Sequence, residues 1–194
     1  MHKIALGAVV MAFGALSASG AYAEKMKLTS ADVSNGETIP NEQVFNSFTC
    51  TGKNISPSLS WSGAPKGTKS FVITVYDPDA PTGSGWWHWV VINLPASTTS
   101  LPKNASDPKA NLLPAGAIQT RTDFGAPGYG GPCPPQGDKP HHYHFTVTAV
   151  DEDKLGFAQN DQASAALVGY ELHFHTLAKA SFVGTYGRPA EKKK

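Results

Sequence analysis

An apolar run that ends abruptly in alternating acids and prolines constrains this chain more than any other stretch. Residues 71–76 read Phe-Val-Ile-Thr-Val-Tyr, and this enrichment in β-branched and aromatic residues predicts a β-strand. Residues 77–81 read Asp-Pro-Asp-Ala-Pro, and the strand must end there because proline cannot donate a ladder hydrogen bond. Side chains alternate along a strand, so Asp77 continues the apolar face that begins at Phe71. A carboxylate in that position needs a partner or a wetted pocket.

Two further apolar runs also begin with polar side chains. His88 opens the run at residues 89–94, and a third run places His141 and Tyr143 on one face of its predicted strand. The segment before the third run, residues 124–135, is rich in glycine and proline, and such loops let backbone N–H groups approach an anion. Polar groups at matching ends of apolar strands indicate a site rather than a core. The candidate site consists of Asp77, Asp79, His88, His141 and Tyr143 with the loop at 125–134.

The chemistry of this set favours an anionic oxygen such as that of phosphate. Protonated histidines, a tyrosine hydroxyl and loop N–H groups are all donors. Neighbouring carboxylates would hold the imidazoles in one tautomer and favour their charged form. A pocket with both signs of charge would also accept a phosphate attached to an amine. Trp86 and Trp87 are expected to wall the same region, whereas strand alternation favours core packing for Trp89.

Many strands and one late helix predict a mainly β domain. The helix is expected to run from about Asp161, as its N-cap, to Ala178, with Leu172 facing the core. A final strand is expected at residues 180–186. Residues 96–140 contain many turn formers and little periodicity, which is typical of a long functional loop.

The N-terminus has the pattern of a secretory signal peptide. Lys3 precedes an apolar run at residues 4–16, and small residues lead to the Ala-Tyr-Ala sequence that ends at Ala23. The apolar run is shorter than the roughly 20 residues that span a bilayer. We therefore expect residues 1–23 to be removed and residues 24–194 to form one exported domain without a membrane span, periplasmic in a Gram-negative source.

The charge balance argues against nucleic acid as a partner. The sequence has 16 basic and 15 acidic residues, and removal of Lys3 with the leader leaves the two signs equal. A balanced chain without a dense basic patch lacks the electrostatic footprint of a nucleic-acid-binding protein.

The two cysteines, Cys50 and Cys133, would meet an oxidising environment in an exported protein. A disulfide between them would close a loop of about 80 residues, which the chain-entropy model values at roughly 4–5 kcal/mol. Two separate thiols are the alternative, and the sequence leaves both open.

Several ordered motifs resemble those of the phosphatidylethanolamine-binding proteins, also called Raf kinase inhibitor-like proteins. The motifs lie at residues 77–81, 88–89, 131–135 and 141–143. Residues 51–57 and 183–186 resemble the bacterial YbhB/YbcL subgroup, and the leader makes the chain similar to the exported YbcL type. The resemblance implies a β-sandwich of antiparallel sheets with a C-terminal helix. It also implies a small pocket for phosphate-like anions or phospholipid headgroups.

Carried over by position, the resemblance implies pocket residues Asp77, His88, Gly131, His141 and Tyr143, with Asp79 in support. The family often has arginine at the position of His142, so the ion pair of that arginine is expected to be missing. Cys133 lies in the implied pocket loop, so a disulfide with Cys50, if present, would be part of the implied pocket. A cis X-Pro bond near residues 77–81 is a further hypothesis.

These observations favour a binding protein with an anion or headgroup pocket, without turnover and without a cofactor. The alternative is an inhibitor or modulator of another protein, as family members are of kinases and proteases, and a homodimer is left open. A hydrolase or metalloenzyme that uses Asp77, His88 and His141 is the third hypothesis. Against it, the sequence has no HExxH, no paired Cys/His spacing and no G-x-S-x-G elbow, so no metal site is expected.

Overall fold

The computed structural model describes residues 25–191, which form antiparallel sheets and a helix. The elements are β1 (Lys27–Thr29), β2 (Leu59–Ser62), β3 (Ser70–Asp77), β4 (Trp86–Pro95), β5 (Ser100–Leu101), β6 (Ile118–Gln119), β7 (His141–Val150), α1 (Ala165–His175) and β8 (Thr176–Tyr186). The smaller sheet has the order β1-β2-β5, and the larger has the order β6-β4-β3-β7-β8. The predicted mainly β sandwich with a C-terminal helix is confirmed.

The predicted signal peptide, residues 1–23, lies outside the described residues. Within residues 25–191, no helix combines the length and the apolar character that crossing a membrane requires.

The larger sheet is buried on both faces along its central strands β3 and β4, whereas β8 is mostly half-buried or exposed. Its inner face packs against the smaller sheet in a core whose largest members include Trp61, Phe71, Trp89 and Phe145. Its outer face is covered by α1 and by the segment before it, in a second core that includes Val72, Val90, Leu155, Val168 and Leu172. β3 therefore reads as an almost continuous apolar run, because each of its faces meets a core.

The helix begins later than the sequence predicted. The Ser164 side chain, not that of Asp161, caps it by accepting a hydrogen bond from the Leu167 N–H at 3.2 Å. Asp161 lies in the preceding turn, where its carbonyl accepts a hydrogen bond from the Arg121 N–H at 2.7 Å. Asp161 is thus held outside the helix by a contact between segments distant in sequence.

The helix also ends earlier than predicted. The Thr176 N–H and hydroxyl both donate to the Leu172 carbonyl, the latter at 2.6 Å, and Thr176 pairs with Val150 of β7. Residues 176–178 therefore belong to β8. The predictions that the helix continues to Ala178 and that the last strand starts at residue 180 are both wrong, because pairing with β7 competes with helix continuation.

Candidate functional site

The ends of three neighbouring strands enclose a cavity of about 160 Å³. β3 lies between β4 and β7, so the last residue of β3 and the first residues of the other two meet at one edge of the sheet. The strand residues that line the cavity are Asp77, Trp86, His88, His141 and Tyr143. The loop residues that line it are Phe48, Ala80, Pro81, Thr82, Phe124, Cys133, Pro134 and Pro135. The structure thus brings together four of the predicted site residues, namely Asp77, His88, His141 and Tyr143.

A β-bulge in β4 places His88 in the cavity. Val75 pairs with Trp89 and Tyr76 pairs with Trp87, so β4 has one extra residue, His88, at this point. A bulge interrupts the alternation of side chains. His88 and Trp89 can therefore both lie on the inner side, where His88 lines the cavity and Trp89 is fully buried. The predicted core packing of Trp89 is confirmed.

The His88 ring is fixed by the backbone of the glycine loop. Its Nδ1 lies 2.6 Å from the Gly130 carbonyl oxygen, and the Gly130 N–H donates to the His88 carbonyl at 2.8 Å. A carbonyl oxygen only accepts, so Nδ1 carries the proton. Burial lowers the pKa of His88 to about 4, and the Gly130 hydrogen bond and the Asp77 charge offset this only in part. His88 is therefore neutral at neutral pH, and the prediction of a protonated histidine is wrong at this position.

The second cavity histidine, His141, is paired with Asp77. Nδ1 of His141 lies 2.7 Å from Oδ2 of Asp77, and both side chains are almost fully buried. Nε2 of His141 lies 3.6 Å from the more exposed carboxylate of Asp138. The carboxylate that the strand pattern placed on an apolar face thus has a partner, as its burial requires.

The Tyr143 hydroxyl is a buried donor without a partner. Tyr143 is 1% exposed, and its Oη makes no hydrogen bond within the described residues. Its ring centroid lies 5.1 Å from that of His88 and 6.5 Å from that of His141. Burial, together with the Asp77 charge, raises the pKa of Tyr143 far above its ordinary value, so the hydroxyl keeps its proton. A ligand oxygen in the cavity would recover the free energy that an unpaired buried donor costs.

Aromatic side chains form one wall of the cavity. The Phe124 ring centroid lies 5.4 Å from those of Trp86 and His88. Nε1 of Trp86 is buried and has no partner within residues 25–191, so it is a second unpaired donor. Trp87 packs instead on Tyr76, at 4.4 Å between centroids, on the side of the sheet that faces α1. The prediction that Trp87 helps to wall the cavity is wrong.

A disulfide between Cys50 and Cys133 joins the segment at residues 45–54 to the glycine loop, with an S–S distance of 2.03 Å. The bridge that the sequence left open is therefore present. It holds Phe48, which is 63% exposed, at the mouth of the cavity. Phe48 was not predicted, because its segment has no strand or helix periodicity. The cysteine pair was the one sequence feature that could have linked this segment to the glycine loop.

Asp79 lies beside the cavity rather than in its lining. Its Oδ2 accepts hydrogen bonds from the backbone N–H and from Nδ1 of His142, at 2.8 and 2.7 Å. Burial alone would raise the pKa of Asp79, but the His142 hydrogen bonds lower it below its ordinary value on balance. His142 thus forms a pair with the Asp79 carboxylate, although the arginine that the family often has at this position is absent.

All described peptide bonds, including those at residues 77–81, are trans, so the hypothesis of a cis X-Pro bond there is wrong.

Gly131 also lies behind the cavity lining, where the absence of a side chain lets the glycine loop pack closely against the backbone of residues 43–45. Its N–H donates to Oδ1 of Asn54 at 2.7 Å, and Nδ2 of Asn54 donates to the Tyr129 carbonyl at 3.0 Å. A Cβ on Gly131 would lie 2.0 Å from the Gln43 carbonyl oxygen, which excludes any larger residue without a backbone shift. Asn54 is a supporting residue that the sequence analysis did not single out.

The cavity residues do not assemble as a set of metal ligands. Within residues 25–191, the group of candidate ligand atoms that lie within 4.8 Å of one another comes from Asp151, Glu152 and His175. This group lies at the far end of β7 from the cavity. Asp77, His88 and His141 form no such group.

The fold and the cavity define a class of protein. The sequence profile described as phosphatidylethanolamine-binding protein matches residues 29–187. The chain belongs to the phosphatidylethanolamine-binding protein family.

Individual relatives are similar over nearly their whole length. YbcL of Escherichia coli K12 is 50% identical over 184 residues, which covers 95% of this chain and 98% of that protein. YbhB of the same organism is 51% identical over 161 residues, which covers 83% of this chain and 99% of that protein. The predicted YbhB/YbcL subgroup is confirmed.

Solved structures agree with this placement. The crystal structure of E. coli YbcL, described as a new member of the mammalian PEBP family, matches with a TM-score of 0.81 at 51% identity, over 84% of this chain and 98% of that chain. A PEBP homologue from Chlamydia trachomatis matches with a TM-score of 0.69 at 32% identity, over 87% of this chain and 99% of that chain.

Proposed function

We propose that this protein binds a small phosphate-like anion, either free or as the headgroup of a phospholipid, in the cavity at Tyr143. The observation that carries the proposal is the buried Tyr143 hydroxyl, a donor without a partner. Trp86 Nε1 is a second such donor, and His141 lines the same cavity. A volume of about 160 Å³ suits a headgroup, since pockets for drug-sized molecules run to roughly 300–1,000 Å³. Membership of a family named for binding phosphatidylethanolamine supports the same ligand class.

The proposed role is binding without turnover. Covalent catalysis needs a nucleophile hydrogen-bonded to a base that is free to take its proton. The lining has one aliphatic hydroxyl, that of Thr82, and it donates to the Gly85 carbonyl. Neither lining histidine is hydrogen-bonded to that hydroxyl within residues 25–191, so the described residues form no nucleophile–base pair.

We place this activity outside the cytoplasm, in the periplasm of a Gram-negative cell. The Cys50–Cys133 disulfide supports this location, because disulfides persist in oxidising compartments. The leader pattern at residues 1–23 points the same way.

Calorimetric titration of the purified protein with phosphorylethanolamine and with inorganic phosphate tests the proposal. We expect saturable binding that weakens at least tenfold in Tyr143→Phe, because a hydrogen bond to a charged group contributes about 1.5–3 kcal/mol. Tyr170→Phe is the matched control, since Tyr170 lies on α1 and is 58% exposed. A folded wild-type protein that binds neither ligand would overturn the proposal, as would an unchanged affinity in Tyr143→Phe.

A second candidate role is contact with another protein, and an apolar patch on the outer side of α1 favours it. The patch consists of Tyr170 and Phe174, which are exposed and whose ring centroids lie 5.1 Å apart. Val168 and Leu172 on the opposite side of α1 pack into the second core, so the helix carries large apolar side chains on both sides.

A second copy of the chain is the simplest partner for this patch. Sedimentation equilibrium should then show a dimer that Phe174→Ser weakens and that Lys66→Ser, an exposed position in the turn before β3, leaves intact. A wild-type protein that stays monomeric at high concentration would exclude this partner.

A further inference from the structure

We infer that the groove between α1 and the outer face of the larger sheet is a second binding site, for an amphipathic anion with an aliphatic chain and a carboxylate. The groove has a volume of about 390 Å³, within the range of roughly 300–1,000 Å³ for pockets that hold small molecules. Side chains alternate along a strand, so Asp77 lines the first cavity while Tyr76 lines the groove on the opposite face. The second site therefore does not depend on the proposed function of the first.

The floor of the groove carries hydroxyl groups where the second core ends. On the outer face of β3, Val72 belongs to that core, but the next two residues on this face are Thr74 and Tyr76. The β7 residues paired with these three are Thr148, Thr146 and His144. A sheet face that packed fully against an apolar helix would carry apolar side chains. The hydroxyl groups therefore indicate a surface that is reached by a polar ligand group or by water.

The roof of the groove is the aliphatic side of α1. The helix residues that line it are Ala165, Val168, Gly169 and Leu172, none of which has a polar side-chain atom. Such a roof suits a hydrocarbon chain. The floor runs along β7 from His144 to Thr148, about 13 Å at roughly 3.3 Å per residue, which leaves room for an extended acyl chain of medium length.

Gly169 keeps the groove open at its mouth. Glycine is a poor helix former, so a glycine in the middle of α1 needs a reason. Packing does not supply one: apart from its chain neighbours and the backbone of its own helix, a Cβ on Gly169 would meet no atom within 4 Å. The helical φ of Gly169 does not require glycine either. The missing side chain instead widens the groove that Gly169 lines.

The charge of the lining favours an anion. Among the described residues that line the groove, Lys179 is the one lysine or arginine, and none is Asp or Glu. Lys179 is exposed and belongs to none of the ion pairs within residues 25–191. It lies opposite Thr148 in the pairing of β8 with β7, so an ammonium and a hydroxyl donor are neighbours at this end of the groove. One lysine and neutral hydroxyl groups match a singly charged carboxylate.

Calorimetric titration of the purified protein with octanoate tests the inference. We expect saturable binding that weakens by about tenfold or more in Gly169→Leu, because the new side chain occupies the space of the acyl chain. Gly169→Ala is the matched control, since it adds helix propensity with little added volume and should retain most of the affinity. Both variants should melt at or above the wild-type temperature, because glycine is replaced by a better helix former.

The charge is tested separately. Octylammonium has the same chain and the opposite charge, so it should bind about tenfold more weakly than octanoate. Lys179→Gln should weaken octanoate binding by about two- to fivefold, as expected for an exposed charge pair. Lys66→Gln removes the same charge from the turn before β3 and should leave the affinity unchanged.

The two sites are distinguished by their variants. Tyr143→Phe should leave octanoate binding unchanged, and Gly169→Leu should leave phosphorylethanolamine binding unchanged. The inference would be overturned, and the proposed function left standing, by an unchanged octanoate affinity in Gly169→Leu, by equal affinities for octanoate and octylammonium, or by a folded wild type that does not bind octanoate. If Gly169→Leu does not fold, Lys179→Gln and the comparison with octylammonium decide the question.

Discussion

The two cavity histidines differ in chemistry because they face different acceptors. Both are 4% exposed, so burial alone does not separate them. His88 donates to the neutral carbonyl of Gly130, whereas His141 lies against the Asp77 carboxylate. At His88 the Gly130 hydrogen bond offsets the desolvation of an imidazolium only in part, so burial lowers the pKa of this ring.

His88 should make folding stability depend on pH between about 4 and 6.5. Its pKa falls from 6.5 to about 4 on folding, so in this interval the unfolded chain binds more protons and stability rises with pH. At 1.36 kcal/mol per pKa unit, the contribution is roughly 3 kcal/mol, present above pH 6.5 and lost as the pH falls towards 4.

Urea unfolding of the wild type and of His88→Gln across pH 4–7.5 measures this dependence. The wild type should lose about 3 kcal/mol more than the variant over the interval. Parallel stability curves would show that His88 is not the group that titrates.

At the scale of elements, the segment at residues 45–54 is shaped by contacts with distant parts of the chain. Phe48 and Thr49 have φ values of 52° and 66°, in a left-handed region that such residues rarely adopt. The guanidinium of Arg188 donates to the Thr49 hydroxyl at 3.1 Å, and Cys50 is bonded to Cys133. These cross-links hold a turn that local propensity does not favour, and the turn places Phe48 at the cavity.

Removal of the disulfide should therefore affect both stability and binding. For cysteines separated by 83 residues, the chain-entropy model gives a loss of about 4–5 kcal/mol in the double variant Cys50→Ser/Cys133→Ser. Chemical denaturation measures this loss, and calorimetry should show weaker phosphate binding because Phe48 is released. Wild-type protein under reducing conditions should behave like the variant. An unchanged denaturation midpoint would contradict this account.

The features that were predicted correctly are those that the local pattern of side chains along one strand determines. The alternation that put Asp77, His141 and Tyr143 on inner faces is local and appears as predicted. The bounds of α1 depend on hydrogen bonds between Asp161 and Arg121 and on the pairing of Thr176 with β7, which have no local pattern. The low pKa of His88 likewise has no local pattern, because it depends on the burial of the ring in the assembled site.

At the scale of the whole molecule, the cavity lies at one end of the three central strands of the larger sheet, of which β3 and β4 are buried on both faces. The three strands that supply the site are adjacent in the order β4-β3-β7, although residues 96–140, a predicted loop that contains the short strands β5 and β6, separate β4 from β7 in sequence. Sequence reasoning could place polar groups at strand ends, but only long-range pairing brings those ends together. Phe48 and Asn54 escaped prediction because they reach the site through tertiary contacts alone.

A crystal structure with phosphorylethanolamine at a saturating concentration tests the central claim most directly. We predict a phosphate group in the cavity, with one oxygen about 2.5–3.0 Å from Tyr143 Oη and another within hydrogen-bonding distance of His88 Nε2. A cavity that contains only water under those conditions, or a ligand bound elsewhere while Tyr143 Oη stays unpaired, would contradict the account.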